Sequence, residues 1–192
     1  MRSIKHNDTS ANSALRRRAR KIRIVLMDVD GVLTDGKIVV CAEDGGGMAD
    51  IKLFHAHDGV GLKLAKQMGL VTGVISGRRS PATAKRAIEL GMDFVLQGQE
   101  NKLSAYEQVL KQTGATDEQV CYIGDDLPDL PILRRVGLAV SVPNAALEVK
   151  KSAHYITDRL GGEAAVREVI EMILKAKGQW REAVGTFMIG AE

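Results

Sequence analysis

The chain has 192 residues, of which 45% are apolar and 27% charged, and its formal net charge is +3. This length suits one domain with a single buried core. No stretch approaches the roughly 20 uncharged apolar residues of a membrane-spanning helix, so the sequence predicts a soluble protein without a membrane partner.

Residues 1–20 contain few large apolar side chains and are rich in serine, asparagine and arginine. Such a segment buries too little surface to offset the entropy of ordering, so we expect a flexible basic tail. The net positive charge comes from a cluster of five cations within six residues at the end of this segment, and without that cluster the remaining chain is slightly acidic. A solvated extension is the simpler interpretation, and no nucleic-acid partner is predicted. The clustered cations are Arg16, Arg17, Arg18, Arg20 and Lys21.

Residues 21–178 alternate short β-branched runs with segments of helical period. This pattern predicts a single α/β domain with a doubly wound parallel sheet, followed by a C-terminal tail at residues 179–192. The last helix should end at Gly178. The predicted strands are 22–27, 70–75, 94–96, 120–123 and 138–142.

Residues 37–54 break this alternation. Two short apolar runs flank the glycine-rich segment 42–49, which predicts an inserted β-hairpin. Its apolar edge, Ile38, Val39 and Val40, could pair with a strand of another chain.

Polar residues follow the predicted strands, where ligands bind in open α/β sheets. Asp28 and Asp30 follow the first strand and project to the same side, because they are two residues apart. Ser76 and Asp125 follow two other strands, and Lys102 begins a helix. Carboxylates this close repel one another by about 4 kcal/mol per pair, so the cluster needs either a cation or raised pKa values. We therefore expect a Mg²⁺ site, with Ser76 and Lys102 binding a phosphoryl group.

Two further carboxylates, Asp126 and Asp129, have two interpretations. Each suits a helix N-cap about as well as a direct role in the site.

These residues resemble the four motifs of the haloacid dehalogenase superfamily of phosphatases. DxDGxxTD is matched from Asp28 to Asp35, the hydroxyl motif by Ser76, the lysine motif by Lys102, and GDxxxD from Gly124 to Asp129. The resemblance implies a Rossmann-like fold of that superfamily, with Asp28 as nucleophile and Asp30 as general acid and base. It also implies Mg²⁺ ligation by Asp28, the Asp30 backbone carbonyl and Asp125.

The spacing of the motifs leaves no room for a cap domain. The chain also contains Gly36-Lys37-Ile38, Lys52-Leu53-Phe54, Asp58-Gly59-Val60-Gly61, Gln97-Gly98-Gln99 and Gly161-Gly162. In these segments it resembles the capless, tetrameric group that hydrolyses 3-deoxy-D-manno-octulosonate 8-phosphate in lipopolysaccharide synthesis. In that group the hairpins form a central barrel, and the C-terminal tail reaches a neighbouring site. The implied homotetramer would complete an otherwise open site. Substrate contacts implied by this resemblance are Asp30, His55, Ala56, His57, Asp58, Gly59, Lys63, Arg78, Arg86 and Lys102.

Several of these residues also suit ordinary surface positions. Lys63 and Arg86 could lie on solvated helix faces, and His55 and His57 could be exposed residues at a strand end. Two positions differ from the usual sequence of that group. Glu163-Ala164 stands where the group usually has a basic or small residue followed by glycine, and Asp50 in the hairpin replaces its common glutamate. A nonulosonate 9-phosphate, the nine-carbon analogue, is therefore an alternative substrate.

Two other classes of protein are weighed against a phosphatase. A receiver-type signalling domain has two adjacent acidic residues after its first strand and a phosphoacceptor after its third, whereas this chain has DxD after the first strand and Gln97-Gly98 after the third. A non-catalytic binding module would not need every reactive position, and here all of them are intact. The sequence favours neither class. Cys41 and Cys121 form neither a disulfide framework nor a CxxC site, which indicates a cytoplasmic location.

Overall fold

The computed structural model describes residues 9–42 and 48–186. Two short 3₁₀ turns span Asp117–Gln119 and Leu127–Asp129. In chain order, the helices and strands are α1 (Thr9–Lys21), β1 (Ile24–Met27), β2 (Val39–Ala42), β3 (Met48–Ile51), α2 (Ala56–Gln67), β4 (Val71–Ile75), α3 (Pro81–Leu90), β5 (Phe94–Leu96), α4 (Lys102–Thr113), β6 (Val120–Gly124), α5 (Leu130–Leu133), β7 (Leu138–Ser141), α6 (Leu147–Ser152), β8 (Tyr155–Ile156), α7 (Ala165–Lys177) and α8 (Trp180–Gly185).

The main sheet is parallel throughout, in the order β5-β4-β1-β6-β7-β8. The chain winds outward from β1 through β4 to β5, then returns to β6 and winds outward in the opposite direction. The topological switch point therefore lies between β1 and β6, where ligands bind in such sheets. This confirms the predicted doubly wound fold. The strand β8 was not predicted, because two residues are too few to show a period.

Two groups of helices flank the sheet: α1, α2 and α7 pack together, and α4, α5 and α6 form the second group. The central strands β1, β6 and β7 are buried along their whole length. These strands therefore provide a well-packed support for the residues that follow their carboxyl ends.

The start of α4 is fixed by Asn101. Its Oδ1 accepts hydrogen bonds from the backbone N–H groups of Leu103 (3.1 Å) and Ser104 (3.3 Å). This is side-chain capping of a helix N-terminus, and it makes Lys102 the first residue of the helix.

The prediction of a flexible tail over residues 1–20 is wrong for residues 9–20, which form most of α1. Ala19 is fully buried in the core, and the Arg20 side chain donates to the carbonyl of Ala176 at 3.0 Å. Composition suggested a solvated segment because the helix is rich in arginine, but two of these arginines, Arg18 and Arg20, donate to the carbonyl groups of Gly137 and Ala176 in the domain. Residues 1–8 lie outside the described residues.

The inserted hairpin is confirmed. Strand β2 pairs antiparallel with β3, and Val39 lies opposite Ile51. Its turn, residues 43–47, lies outside the described residues. Between β1 and β4 the described chain forms this hairpin and α2, in agreement with the predicted lack of a cap.

The predicted tail at residues 179–192 contains the short helix α8, in which Ala183 is buried. Residues 187–192 lie outside the described chain. Within the described ranges, no helix has the length and apolar character needed to cross a membrane.

The loop after β1 is held by close backbone packing with Gly161 and Gly162. A Cβ atom on Gly161 would lie 1.7 Å from the carbonyl oxygen of Gly31. The N–H of Gly162 donates to the carbonyl of Val32 at 2.9 Å, and its φ of 77° is in the left-handed region. Glycine is therefore required here because two loop backbones touch.

We predict that Gly161→Ala will destabilise the protein by more than about 2 kcal/mol, since its methyl group must displace the loop after β1. Gly185→Ala is the control, because its Cβ would meet nothing within 4 Å. The measurement is the free energy of unfolding in urea. Equal stability of the Gly161→Ala variant and the unmodified protein would contradict this packing argument.

Candidate active site

The central strands bring the first acidic residues to one edge of the sheet. Asp28 follows β1, and its N–H donates to the carbonyl of Ile123 in β6 at 3.0 Å. Asp125 follows the end of β6. Asp28 and Asp125 therefore lie on either side of the topological switch point.

Lys102 connects two of the carboxylates. Its Nζ lies 2.9 Å from Asp28 Oδ1 and 2.7 Å from Asp129 Oδ1. All three side chains are nearly inaccessible to solvent. Burial lowers the pKa of Lys102, but the two carboxylates raise it by more, so the net shift is upward. Lys102 is therefore a buried, permanently charged ammonium group.

Asp129 uses both of its carboxylate oxygens for internal hydrogen bonds. Besides Lys102, Oδ1 accepts the hydroxyl of Tyr122 at 2.8 Å, and Oδ2 accepts the N–H groups of Asp125 (3.0 Å) and Asp126 (3.3 Å). Asp129 therefore orients Lys102 and the loop after β6. The side chain of Asp126 accepts from the N–H of Leu127 at 2.8 Å, so this residue is the N-cap of a 3₁₀ turn.

Asp28 and Asp125 have the properties of cation ligands. Ligand oxygens of Asp28, Asp125 and Asp129 all lie within 4.8 Å of one another. Because Asp129 is saturated by donors, Asp28 and Asp125 are the two side chains free to bind a metal. Asp125 Oδ1 is buried and has no hydrogen-bond partner. Such an orphaned oxygen is the kind of group that a hard divalent ion satisfies.

The pKa values of both groups agree with this interpretation. Burial, followed by the nearby Asp28 and Asp129, raises the pKa of Asp125 to about 7. Burial is also the main cause that raises the pKa of Asp28 to about 6, although Lys102 opposes it. The two carboxylates therefore repel each other and lack solvation, and a bound cation relieves both costs.

Asp30 lies beside this cluster and has different partners. Its Oδ1 forms an ion pair with Lys52, and Arg78 Nε lies 3.8 Å from its Oδ2. The Lys52 side chain is only 5% exposed. Lys52 was not among the site residues predicted from the sequence. The sequence signal that could have indicated it is a single lysine between two apolar residues, Ile51 and Leu53.

Ser76 and Arg78 follow β4 at the same edge. Ser76 is buried, and its Oγ accepts the N–H of Arg78 at 3.2 Å. The Arg78 side chain is 48% exposed. Ser76 is thus a fixed hydroxyl, and Arg78 is a cation that can reach a ligand in solvent.

The predicted substrate residues at the start of α2 have mainly structural contacts. His55 caps the helix, since its Nδ1 accepts the N–H of His57 at 3.1 Å. Asp58 is buried and its Oδ1 accepts the N–H of Arg167 at the start of α7, at 2.7 Å. Burial raises the pKa of Asp58 to about 6, against the effect of this hydrogen bond. Ala56 is the first residue of α2.

Gly59 allows the Arg86 guanidinium to approach α2. A Cβ atom on Gly59 would lie 2.5 Å from Arg86 Nη2. Arg86 Nη1 also lies 3.4 Å from Glu89, while Lys63 is exposed. In the described chain, no hydrogen bond or ion pair joins this group of residues to Asp28 or Asp125.

Comparison with known proteins agrees with the site. Residues 77–170 match the family of haloacid dehalogenase-like hydrolases. The chain is 38% identical over 168 residues to 3-deoxy-D-manno-octulosonate 8-phosphate phosphatase KdsC of Escherichia coli K12, covering 88% of this chain and 87% of that protein.

Two solved structures are also similar. A probable yrbi family phosphatase from Pseudomonas syringae has a TM-score of 0.85 and 42% identity, covering 92% of this chain and 98% of that one. A 3-deoxy-D-manno-octulosonate 8-phosphate phosphatase from Moraxella catarrhalis, in complex with magnesium, phosphate and a KDO molecule, has a TM-score of 0.84 and 40% identity, covering 90% of this chain and 97% of that one.

We predict that Asp125→Asn will stabilise the metal-free protein at about pH 8 by a few degrees. A carboxyl group whose pKa is raised on folding binds its proton more tightly when folded, so stability falls as pH rises from about 4 to about 7. The amide removes this cost, so the gain should shrink as the pH is lowered and disappear below about pH 4, where Asp125 is protonated in both the folded and the unfolded protein.

The thermal midpoint with and without Mg²⁺ provides the measurement. Mg²⁺ should raise the midpoint of the unmodified protein and have much less effect on Asp125→Asn, with Asp126→Asn as the matched control. Destabilisation of the metal-free Asp125→Asn variant at about pH 8 would show that the carboxylate is not strained there.

Proposed function

Since the chain belongs to the haloacid dehalogenase-like hydrolase family, we propose that it is a Mg²⁺-dependent phosphatase of 3-deoxy-D-manno-octulosonate 8-phosphate. The products are 3-deoxy-D-manno-octulosonate and phosphate. The observation that supports this function most strongly is the buried Lys102 ammonium between Asp28 and Asp129, next to the orphaned oxygen of Asp125. This arrangement provides a nucleophile, a cation site and a phosphoryl-binding charge at one edge of the sheet.

The metal ligands in this proposal are the Asp28 and Asp125 carboxylates and the backbone carbonyl of Asp30. Few protein carboxylates with open water positions suit Mg²⁺, which keeps several waters and binds phosphate oxygens. When bound, the ion supplies positive charge that neutralises the phosphoryl oxygens and the carboxylates around it.

In the first step an Asp28 oxygen attacks phosphorus in line and forms an aspartyl phosphate. The bond between phosphorus and the sugar oxygen breaks, and the proton of the Asp30 carboxyl group moves to that oxygen. Lys102 already contacts Asp28 Oδ1, so it holds the nucleophile and can also balance charge on the phosphoryl group.

In the second step Asp30, now a carboxylate, takes a proton from a water molecule. The water oxygen bonds to phosphorus, and the bond between phosphorus and Asp28 breaks. This releases phosphate and restores both aspartates. Ser76 donates its hydroxyl to a phosphoryl oxygen throughout, from a position fixed by β4.

The sugar acid requires a cation for its own carboxylate, and Arg78 is the residue that we assign to it. Arg78 is half-exposed beside Asp30, and arginine binds carboxylates with two parallel hydrogen bonds. The other proposed contacts are residues 55–59, Lys63 and Arg86, which would line the substrate site at the start of α2. Asp58 accepts the backbone N–H of Arg167 near the start of α7, so it would act by positioning that helix.

The named relatives favour the eight-carbon substrate over a nonulosonate 9-phosphate. Family membership also argues against a receiver-type signalling domain and a non-catalytic module.

We assign the hairpin to assembly of a homotetramer, which would cover the open site, and we place the enzyme in the cytoplasm, in lipopolysaccharide synthesis. The hairpin exposes the apolar side chains of Ile38, Val39, Ile51 and Leu53. An exposed apolar strand pair of this kind suits burial against other copies of the chain.

Asp28→Asn should reduce Mg²⁺-dependent phosphate release at least about a thousandfold, because an amide is a poor nucleophile. The exposed Asp158→Asn is a matched control and should keep normal activity. Activity is measured as phosphate released from 3-deoxy-D-manno-octulosonate 8-phosphate. Undiminished turnover by Asp28→Asn would exclude this residue as the nucleophile.

Ile38→Glu should convert the tetramer to smaller species, since it introduces charge into the proposed hairpin interface. Ile88→Glu is the control, because Ile88 is an exposed apolar residue of α3 outside the hairpin. Light scattering after size-exclusion chromatography gives the molar mass. A monomeric unmodified protein with full activity would overturn the assembly.

A further inference from the structure

Lys52 is a second buried lysine, and none of the steps above uses it. It lies directly after β3, and its side chain is 5% exposed. Lysine is rarely buried to this extent unless it has a charged partner. In the described chain its partner is Asp30 Oδ1.

The orientation of Lys52 is set by the hairpin strand that precedes it. The residues on either side, Ile51 and Leu53, are 46% and 75% exposed. Alternate residues of an extended segment face opposite directions. The apolar neighbours therefore point outward, and the ammonium group points inward to the loop after β1.

Asp30 is thereby held at one oxygen and left accessible at the other. Arg78 Nε lies 3.8 Å from Oδ2, which is too long for a direct hydrogen bond, and the Arg78 side chain is half-exposed. Lys52 is buried and in direct contact with Oδ1. Lys52 is therefore the fixed partner of Asp30, and Oδ2 remains available for a substrate atom or water.

We propose that Lys52 is a positioning residue for Asp30, which it holds in the orientation needed to deliver a proton to the leaving oxygen. The proposal rests on the proposed function, in which the phosphorus–oxygen bond to the sugar breaks and the proton of Asp30 moves to that oxygen. Small displacements of a proton donor lower its rate sharply, because transfer requires hydrogen-bond distance.

A consequence is that the hairpin belongs to the active site as well as to the assembly surface. Lys52 connects the strand that exposes Ile51 and Leu53 to the residue that handles the proton. Displacement of the hairpin would therefore move Asp30, whereas Asp28 would keep its own contact with Lys102.

The test compares Lys52→Met, Lys52→Arg and the exposed control Lys111→Met on two substrates. One is 3-deoxy-D-manno-octulosonate 8-phosphate, whose alkoxide leaving group needs a proton. The other is p-nitrophenyl phosphate, whose leaving group departs without one. The quantity measured is kcat/KM, which covers only the steps up to release of the alcohol or phenol. Thermal melting verifies that each variant is folded.

Lys52→Met should lower kcat/KM for the sugar phosphate at least about 30-fold, and for p-nitrophenyl phosphate less than about 3-fold. Lys52→Arg should recover most of the activity, since it restores a cation at Asp30 Oδ1. Equal losses on both substrates would overturn the proposal, because they would assign Lys52 to the phosphoryl group or to the fold. No loss on either substrate would also overturn it.

These outcomes are distinct from failure of the proposed function. If the unmodified protein released no phosphate with Mg²⁺, or if Asp28→Asn stayed active, the phosphatase assignment itself would fail. An active unmodified enzyme with unaffected Lys52 variants would leave that assignment intact and exclude only the role of Lys52.

Discussion

The site depends on one buried ammonium group placed between carboxylates. Lys102 contacts both Asp28 and Asp129, and Asp125 lies within the same cluster. Two like charges at about 4 Å repel by about 4 kcal/mol at an effective dielectric constant near 20, so the aspartates could not be buried together without this cation. Lys102 offsets part of the negative charge. The raised pKa values of Asp28 and Asp125 indicate that the rest of this negative charge is uncompensated, and a metal ion would neutralise it.

The fold supplies this arrangement through a few backbone constraints. The cap at Asn101 sets Lys102 at the first position of α4, and β1 and β6 set Asp28 and Asp125 side by side. The loop after β1 is held by contact with Gly161. A Cβ on Gly31 would lie 2.0 Å from Asp125 Oδ2. The same loop therefore needs a residue without a side chain where it passes the Asp125 carboxylate. Positioning and charge, which dominate phosphoryl transfer, thus follow from main-chain geometry.

Much of this was predictable from the sequence, and the exceptions have physical causes. The sheet and its reactive edge followed from apolar runs with Asp28, Ser76 and Asp125 directly after them, because parallel strands end at one edge. Helix α1 was missed because its arginines masked the buried Ala19. The pairing of Lys52 with Asp30 depends on where the hairpin docks, and no local pattern specifies that. Likewise, the saturation of Asp129 by four donors becomes visible only when the loop after β6 is folded.

The central claim is that Asp28 forms a covalent aspartyl phosphate, so that two successive displacements occur at phosphorus. The stereochemical course of the reaction tests it most directly. The substrate is a phosphorothioate ester made chiral at phosphorus by oxygen isotopes and hydrolysed in water of the third isotope, and the measured quantity is the configuration of the released thiophosphate. Two in-line displacements invert the configuration twice, and the account predicts net retention. Net inversion would show a single direct attack by water and would contradict the account.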